Sequence, residues 1–482
     1  MKGYKLFVVL LSGLLLFSCQ ADTVSPEAQT SQPDAVDSEK SETTEILSDE
    51  LGEYDFEGRS FNIVTCADYF FSPYDVEEET GELLDDAAYN RNRTVEERFN
   101  SDIVYTMLGG SAGESADAIM TSVLAGDDEY SLGIVHPYIG LAGLISNAYV
   151  LDWSDIPNVD LDKPWWNKSC NDVLSIDGLL PCASSDFVYF NSGCIYFNKE
   201  MAEQFQIEDP YALVYDGKWT WDKLSEIALS VSEDLNGDGS YDENDQYGYS
   251  IINHHRMIPV TYSMGISPSS KNEDGYIVLD NLGSEKMNSI VNKYYKLLFE
   301  NTGTYLYDPS KNPDELELFR SGQVLFLHYV TQNIAALRDL DWDFGILPQP
   351  KYDESQEEYY SLAQSNVMVV PITVADAEFV GTIIEALSAY SYQYVMPALY
   401  DTTFNNKYLR DEDSIAMFDI IKNSLVYDPL WNYNASGNTV YFLSTLMGAQ
   451  STDTASYYAS NHEAAEESLK KFFDTTHEAY GE

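Results

Sequence analysis

Positive charge is scarce in this chain. Its 26 Lys and Arg stand against 80 Asp and Glu, a formal charge of −54 at pH 7. Such a surface repels phosphate backbones and anionic headgroups, which excludes nucleic acid and a bare anionic membrane as partners. Cysteine is also sparse: Cys19, Cys66, Cys170, Cys182 and Cys194, with no Cys-x-x-Cys spacing of the kind a zinc site uses. An exported chain could oxidise two of the last three, and the spacing assigns no pairing. The six His form no His-Glu-x-x-His helix, and there is no Gly-x-Ser-x-Gly elbow or phosphate-cradling loop with Lys. Carboxylates are so numerous that no two stand out as a glycosidase pair. The chain therefore reads as a non-enzyme. After the first nineteen residues, no run is long and apolar enough to cross a membrane.

Those first nineteen residues are an export signal. Lys2 and Lys5 precede the apolar run Leu6 to Phe17, which ends in Ser18-Cys19. Basic, apolar and small residues in that order, followed by Cys, resemble the lipobox of bacterial lipoproteins, in which Cys19 carries the lipid. Phe17 is bulkier than that pattern usually has, and a plain signal peptide with an incidental Cys ranks second, because the spacing and flanks agree with the lipobox. Removing the leader takes away Lys2 and Lys5, so −54 becomes −56. Residues 20–53 are rich in Ser, Thr, Glu, Asp, Pro and Ala. They cannot bury enough apolar surface to offset their chain entropy and are expected to form a disordered acidic linker. The expected location is the extracytoplasmic face of a bacterial membrane.

The folded body from residue 54 to 482 is long for one core and calls for two lobes. Strand patterns recur at 60–65, 103–107 and 131–135, and helix patterns at 86–99 and 116–125. This alternation predicts an α/β lobe with a mainly parallel sheet. Further strands are expected at 179–182, 187–190, 193–198, 249–252 and 324–327. Helices are expected at 199–205 and from Trp219, with Thr220 as cap. The 37 Tyr, 21 Phe and 7 Trp exceed what a core needs. Rings with a polar tip suit stacking on sugar faces.

Several short runs, in order, carry a resemblance. They are D-x-Y-S-L-G-I-V-H-P-Y from Asp128, N-A-Y-V-L-D-W-S-D-I-P from Asn147, K-P-W-W-N-K-S from Lys163 and I-Y-F-N-K-E from Ile195. K-W-T-W-D-K-L from Lys218, F-R-S-G-Q-V-L-F from Phe319 and D-F-G-I-L-P-Q-P-K-Y-D from Asp343 complete the set. Together they resemble the extracellular solute-binding proteins, and more narrowly the carbohydrate-binding lipoproteins that serve ABC importers. The resemblance implies a two-lobed periplasmic-binding-protein-like α/β fold of type II, with ligand in the cleft between lobes. It implies a monomer that takes a carbohydrate, an oligosaccharide first, and delivers it to the permease subunits of an ABC transporter. A peptide or other small solute on the same fold, and a surface glycoside hydrolase, are the rival readings. Chain crossings are expected near 184–189, 345–352 and 392–401. Lobe 1 would hold 54–185 plus 350–395, and lobe 2 would hold 186–349 plus 396–482.

One segment has sharper chemistry. Residues 234–245, DLNGDGSYDEND, fit an EF-hand-type calcium loop with Asp234, Asn236, Asp238, Ser240, Asp242 and Asp245 as ligands. Gly239 sits where the sharp turn falls. An acidic turn that holds ions loosely is the plainer alternative, and Asp at the twelfth position is shorter than the usual Glu.

In two-lobed binders, ligand contacts sit on loops at the C-terminal ends of strands. From lobe 1 this nominates Tyr69, next to Phe70 and Phe71, then His136, Tyr138, Trp165 and Trp166. At the first crossing it nominates Asp186 as an acceptor for hydroxyls. From lobe 2 it nominates His254 beside His255, Tyr329 beside His328, and Trp431 beside Tyr433. One of the two Trp at 165 and 166 is expected to reach the cleft, and core packing is the plainer reading of the pair.

Overall fold

The structure is a computed structural model that describes residues 47–66, 75–273, 275–308, 310, 314–337, 339–401 and 411–481. Cys19, the leader, most of the linker and Tyr69 to Phe71 lie outside the described residues.

In the first lobe, strand β1 (Arg59–Cys66) pairs in parallel with β2 (Ser101–Leu108) along its full length and with β3 (Leu132–Val135). Phe61, Ile63 and Val64 of β1 are fully buried, because helices cover both faces of the sheet. The helix Leu83–Phe99 turns Leu84, Val95 and Phe99 inward, where they join Phe379, Ile383 and Ile384 of the helix Ala377–Tyr390 in one core. The helix Glu114–Ala125 lies so close to the sheet that a Cβ on Gly133 would stand 2.2 Å from Ile119 Cδ1.

The second lobe is built on a five-stranded sheet. Strands β4 (Gly193–Asn198), β5 (Tyr247–Ile252), β8 (Thr304–Tyr307), β9 (Val324–Val330) and β10 (Phe344–Leu347) are ordered β10-β4-β9-β5-β8. A small hairpin of β6 (Ser270–Lys271) and β7 (Ile277–Val278) lies outside it. The helix Trp221–Ser230 starts where the sequence predicts: the Lys223 amide donates to Thr220 Oγ1 at 3.1 Å. It packs on β5 backbone to backbone, so a Cβ on Gly248 would sit 2.0 Å from Ala228 Cα.

Each sheet is parallel on one side and antiparallel on the side that holds the strand following a crossing. β4 runs antiparallel to β9 and β10, and β12 (Val367–Val369) runs antiparallel to β3. The first crossing lies in residues 184–192. Ala183 still bridges Met368 of the first lobe, and Gly193 already pairs with Val330 of the second. The second crossing falls at residues 361–366, not at 345–352. Lys351 exchanges backbone hydrogen bonds with Trp219 and Trp221, and Lys293 holds the Tyr352 carbonyl, so this stretch stays on the second lobe. At the crossing, β11 (Ser361–Leu362) pairs with β13 (Leu425–Val426), and Ser192 bridges Ala363. The helix Met396–Asp401 packs on the first lobe and the helix Glu412–Asn423 on β10. Residues 396–401 of the expected third crossing therefore stay on the first lobe, and residues 402–410 are outside the described set.

Two further expectations change. Residues 179–182 make only an isolated bridge, Leu179 to Ile176, on the first lobe, and residues 187–190 make none, because they run across the hinge where no neighbour offers a ladder. His328 and Tyr329 lie inside β9, which continues to Val330.

The C-terminal helix Thr454–Tyr480 is shared by both lobes. Thr454 donates to Asn288 and Glu466 accepts the Leu279 amide on the second lobe. Tyr480 donates to the Val150 carbonyl, and His477 stands 2.8 Å from Asp177, on the first. Among the described residues, no helix is long and apolar enough to cross a membrane.

Candidate functional site

A cavity of about 450 Å³ opens between the lobes where the strands end. His136, Tyr138 and Ile139 follow β3. His254, His255 and Arg256 follow β5, and Val330 closes β9. Asn191 and Gln364 come from the two crossings, Trp431 and Tyr441 from the C-terminal segment. Ligands of open α/β sheets bind at this end of the strands.

The aromatic wall is built by packing across the cleft. The Tyr138 and Trp431 rings stack with centroids 5.1 Å apart and planes 20° apart. His136 meets the Trp431 ring edge-on at 6.0 Å, and Tyr441 touches both Tyr138 and His254. The Tyr138 hydroxyl donates to Asn438 Oδ1 at 2.6 Å. Trp431 is held by the cap of its own short helix, Pro429–Tyr433. Asp428 accepts the Leu430 amide at 2.7 Å and the hydroxyls of Ser267 and Ser269 of the second lobe. Burial pushes the Asp428 carboxyl up, against those donors. The Trp431 indole N–H is buried and has no acceptor among the described residues.

Burial lowers His136 to about 4. Burial and then the neighbouring charges of Arg256, His254 and His136 lower His255 to about 3. Both imidazoles are neutral at pH 7. His254 Nδ1 and His255 Nδ1 are 2.8 Å apart, so one of them donates to the other. The Arg256 guanidinium lies 4.5 Å over the Tyr329 ring and reaches Glu315 through Nη2 at 2.8 Å and Nε at 3.4 Å.

Four expected contacts thus come together: His136, Tyr138, His254 and Trp431. Tyr329 stands behind Arg256 and supports it from within β9. Its neighbour His328 is core, bonded to the Tyr249 hydroxyl and to Gln349, with burial lowering it to about 3. Tyr433 is also core and donates to the Leu174 carbonyl.

Trp165 and Trp166 do not line this cavity. Both are buried, and both indoles donate to Glu385, at 3.0 and 2.9 Å. Burial raises the Glu385 carboxyl to about 7 against the pull of these donors and the Asp160 amide. Asp186 lies in a separate cavity of about 350 Å³, lined also by Trp165, Trp166, Lys422 and Tyr427. Burial raises it to about 6, and Lys422 opposes the shift. The sequence reading missed Arg256, Asn191, Gln364 and Tyr441. Arg256 was within reach, two residues after His254 on the same loop. The other three depend on pairings between distant segments.

The loop 234–245 folds on its own amides. Asp234 accepts from Gly237 and Gly239, Asn236 from Asp238, and Asp238 from Ser240. Fully buried Asp245 accepts from Leu235 and Asp242 and so ties the loop's ends together. Among the described residues, no group of three or more His, Cys, Asp or Glu gathers to hold a metal ion. Cys66, Cys170, Cys182 and Cys194 are free thiols.

No protein-family model matches the sequence, and comparison with curated proteins finds no match. Solved structures do match. An ABC substrate-binding protein from Listeria monocytogenes in complex with cycloalternan superposes with a TM-score of 0.56 at 14% identity, over 88% of this chain and 99% of that one. The cyclic alpha-maltosyl-1,6-maltose binding protein from Arthrobacter globiformis gives 0.57 at 11% identity, over 87% and 99%. UgpB from Mycobacterium tuberculosis in complex with glycerophosphocholine gives 0.60 at 12% identity, over 85% and 98%. The chain has the fold of these solute-binding proteins, a two-lobed periplasmic-binding-protein fold of type II.

Proposed function

We propose that the protein is the substrate-binding component of an ABC importer and that it captures a carbohydrate in the His136–His254–Trp431 cleft. The observation that carries this reading is the placement of stacked aromatic rings, Tyr138 and Trp431, at the strand ends of two lobes joined by a hinge. Rings of this kind stack on sugar faces. Solute bridges the lobes, and closure follows from contacts made only when both engage. Two of the three structural neighbours named above are sugar binders, which supports the solute class. Hydrolysis of a glycoside needs two carboxyl groups flanking the bond, and the described cleft lining carries none.

In this reading Cys19 bears a lipid, the linker holds the body off the membrane, and the tether keeps the protein at high local concentration beside its permease. The 234–245 loop binds calcium as a structural ion: Asp234, Asn236 and Asp238 already cap consecutive amides, and an ion would draw their free lone pairs together.

The test is a panel of oligosaccharides followed by thermal melting and product analysis. A ligand bound only to the native state raises apparent stability, so a shift without product supports the receptor. Released product, or stabilisation by peptides alone, overturns the carbohydrate reading.

A further inference from the structure

The cleft departs from the rest of the molecule in charge. The chain has 80 Asp and Glu against 26 Lys and Arg and 6 His. Yet the eleven described residues that line the cavity include three His and one Arg, and none of the eleven is a carboxylate. Neutral sugars offer hydroxyl groups that both donate and accept, and ionised carboxylates are the strong acceptors for their donors. Among the described residues of the lining there are none.

What it offers is donors. Arg256 commits Nε and Nη2 to Glu315, and its Nη1 has no partner among the described residues. Tyr329 beneath the guanidinium fixes its plane. Asn191 and Gln364 present side-chain amides, and Trp431 carries a buried indole N–H with no acceptor among the described residues. His254 and His255, one hydrogen-bonded to the other, complete the rim beside Arg256. A surplus of donors over charged acceptors matches a ligand rich in acceptors. With one edge of the guanidinium fixed on Glu315, its Nη1 edge is left to donate to an anionic group.

We infer that the cleft selects an acidic saccharide, one bearing a carboxylate or sulfate that faces Arg256 and the His254–His255 pair, over its neutral counterpart. The inference rests on the carbohydrate reading and narrows it. The surrounding negative charge does not forbid it, since at physiological salt exposed charges beyond about 8 Å are largely screened. The ring wall of Tyr138 and Trp431 takes the sugar face, and Arg256 with the imidazole N–H beside it takes the anion.

The experiment is a binding screen of the full chain against a library of neutral, uronate-containing and sulfated oligosaccharides, with calorimetry on the tightest hit and its neutral analogue of the same linkage. An acidic hit preferred at least tenfold supports the inference, and the uronate and sulfate arms identify the anion. A neutral hit, or equal affinity for the pair, overturns it and leaves the carbohydrate reading standing. No saccharide hit at all overturns both. In the double variant Arg256→Gln, Glu315→Gln, which removes the charge without orphaning its partner, the preference for the acidic ligand should fall at least tenfold. In His254→Gln, on the exposed rim, it should fall two- to fivefold. An unchanged preference in the folded double variant rejects the role given to Arg256.

Discussion

Replacing Glu385 by Gln tests how the Trp165–Trp166 pair is anchored. The carboxyl is fully buried and receives both indole N–H groups and the Asp160 amide. Burial nevertheless raises it from 4.5 to about 7. An unfolded chain releases this proton near 4.5, and the folded protein keeps it until about 7. Between those values the native state binds more protons, so its stability falls as pH rises. At about 1.4 kcal/mol per unit, the loss across the window is about 3 kcal/mol. It is absent below pH 4.5 and complete above 7. Glutamine keeps the shape and cannot ionise. Urea denaturation of wild type and Glu385→Gln, every half unit from pH 4.5 to 7.5, isolates the group from the other carboxylates. The variant's stability relative to wild type should climb by about 3 kcal/mol over that range. A flat difference refutes the account of Glu385 as a buried, reluctantly ionised anchor for the two indoles.

The other expectations are more direct. Gly248→Ala drives a Cβ into the Ala228 backbone and should cost roughly 3 kcal/mol or more, read as a fall in Tm with unchanged far-UV spectrum at low temperature. Asp428→Ala removes the cap and the Ser267–Ser269 link that seat Trp431. It should cost about 2 kcal/mol of stability and weaken ligand binding with it, as a paired denaturation and calorimetry measurement will show. Calcium should raise the Tm of wild type and not that of the Asp234→Ala, Asp238→Ala double variant. Absence of any calcium effect on wild type removes the ion site.

Local patterns carried much of the fold. The strand at 60–65, the helix from Trp221 with its Thr220 cap and the order of elements in the first lobe follow from apolar spacing and cap chemistry within a few residues. The His136-Pro137-Tyr138 and His254-His255 loops were legible for the same reason, since each ends a short apolar run. What could not be read depends on distant partners. Trp165 and Trp166 looked like stacking residues because their acceptor, Glu385, lies some 220 residues away on another helix. The hinge is made by Ser192 against Ala363 and by β11 against β13, each too short to leave a strand pattern. Asn191 and Gln364 enter the site only through that hinge, joined by the Gln364 amide on the Asn191 carbonyl. Polar-tipped His328 and Tyr329 hide the true end of β9, since both are buried in the strand.

Calorimetric titration of the tightest-binding oligosaccharide into wild type and into Trp431→Ala tests the central claim most directly. The stacked Trp431–Tyr138 wall predicts saturable one-to-one binding with a negative heat-capacity change in wild type. It predicts a loss of about 2 kcal/mol, roughly thirtyfold in affinity, in the variant. Equal affinity of a folded Trp431→Ala protein would contradict the assignment of the solute to this cleft.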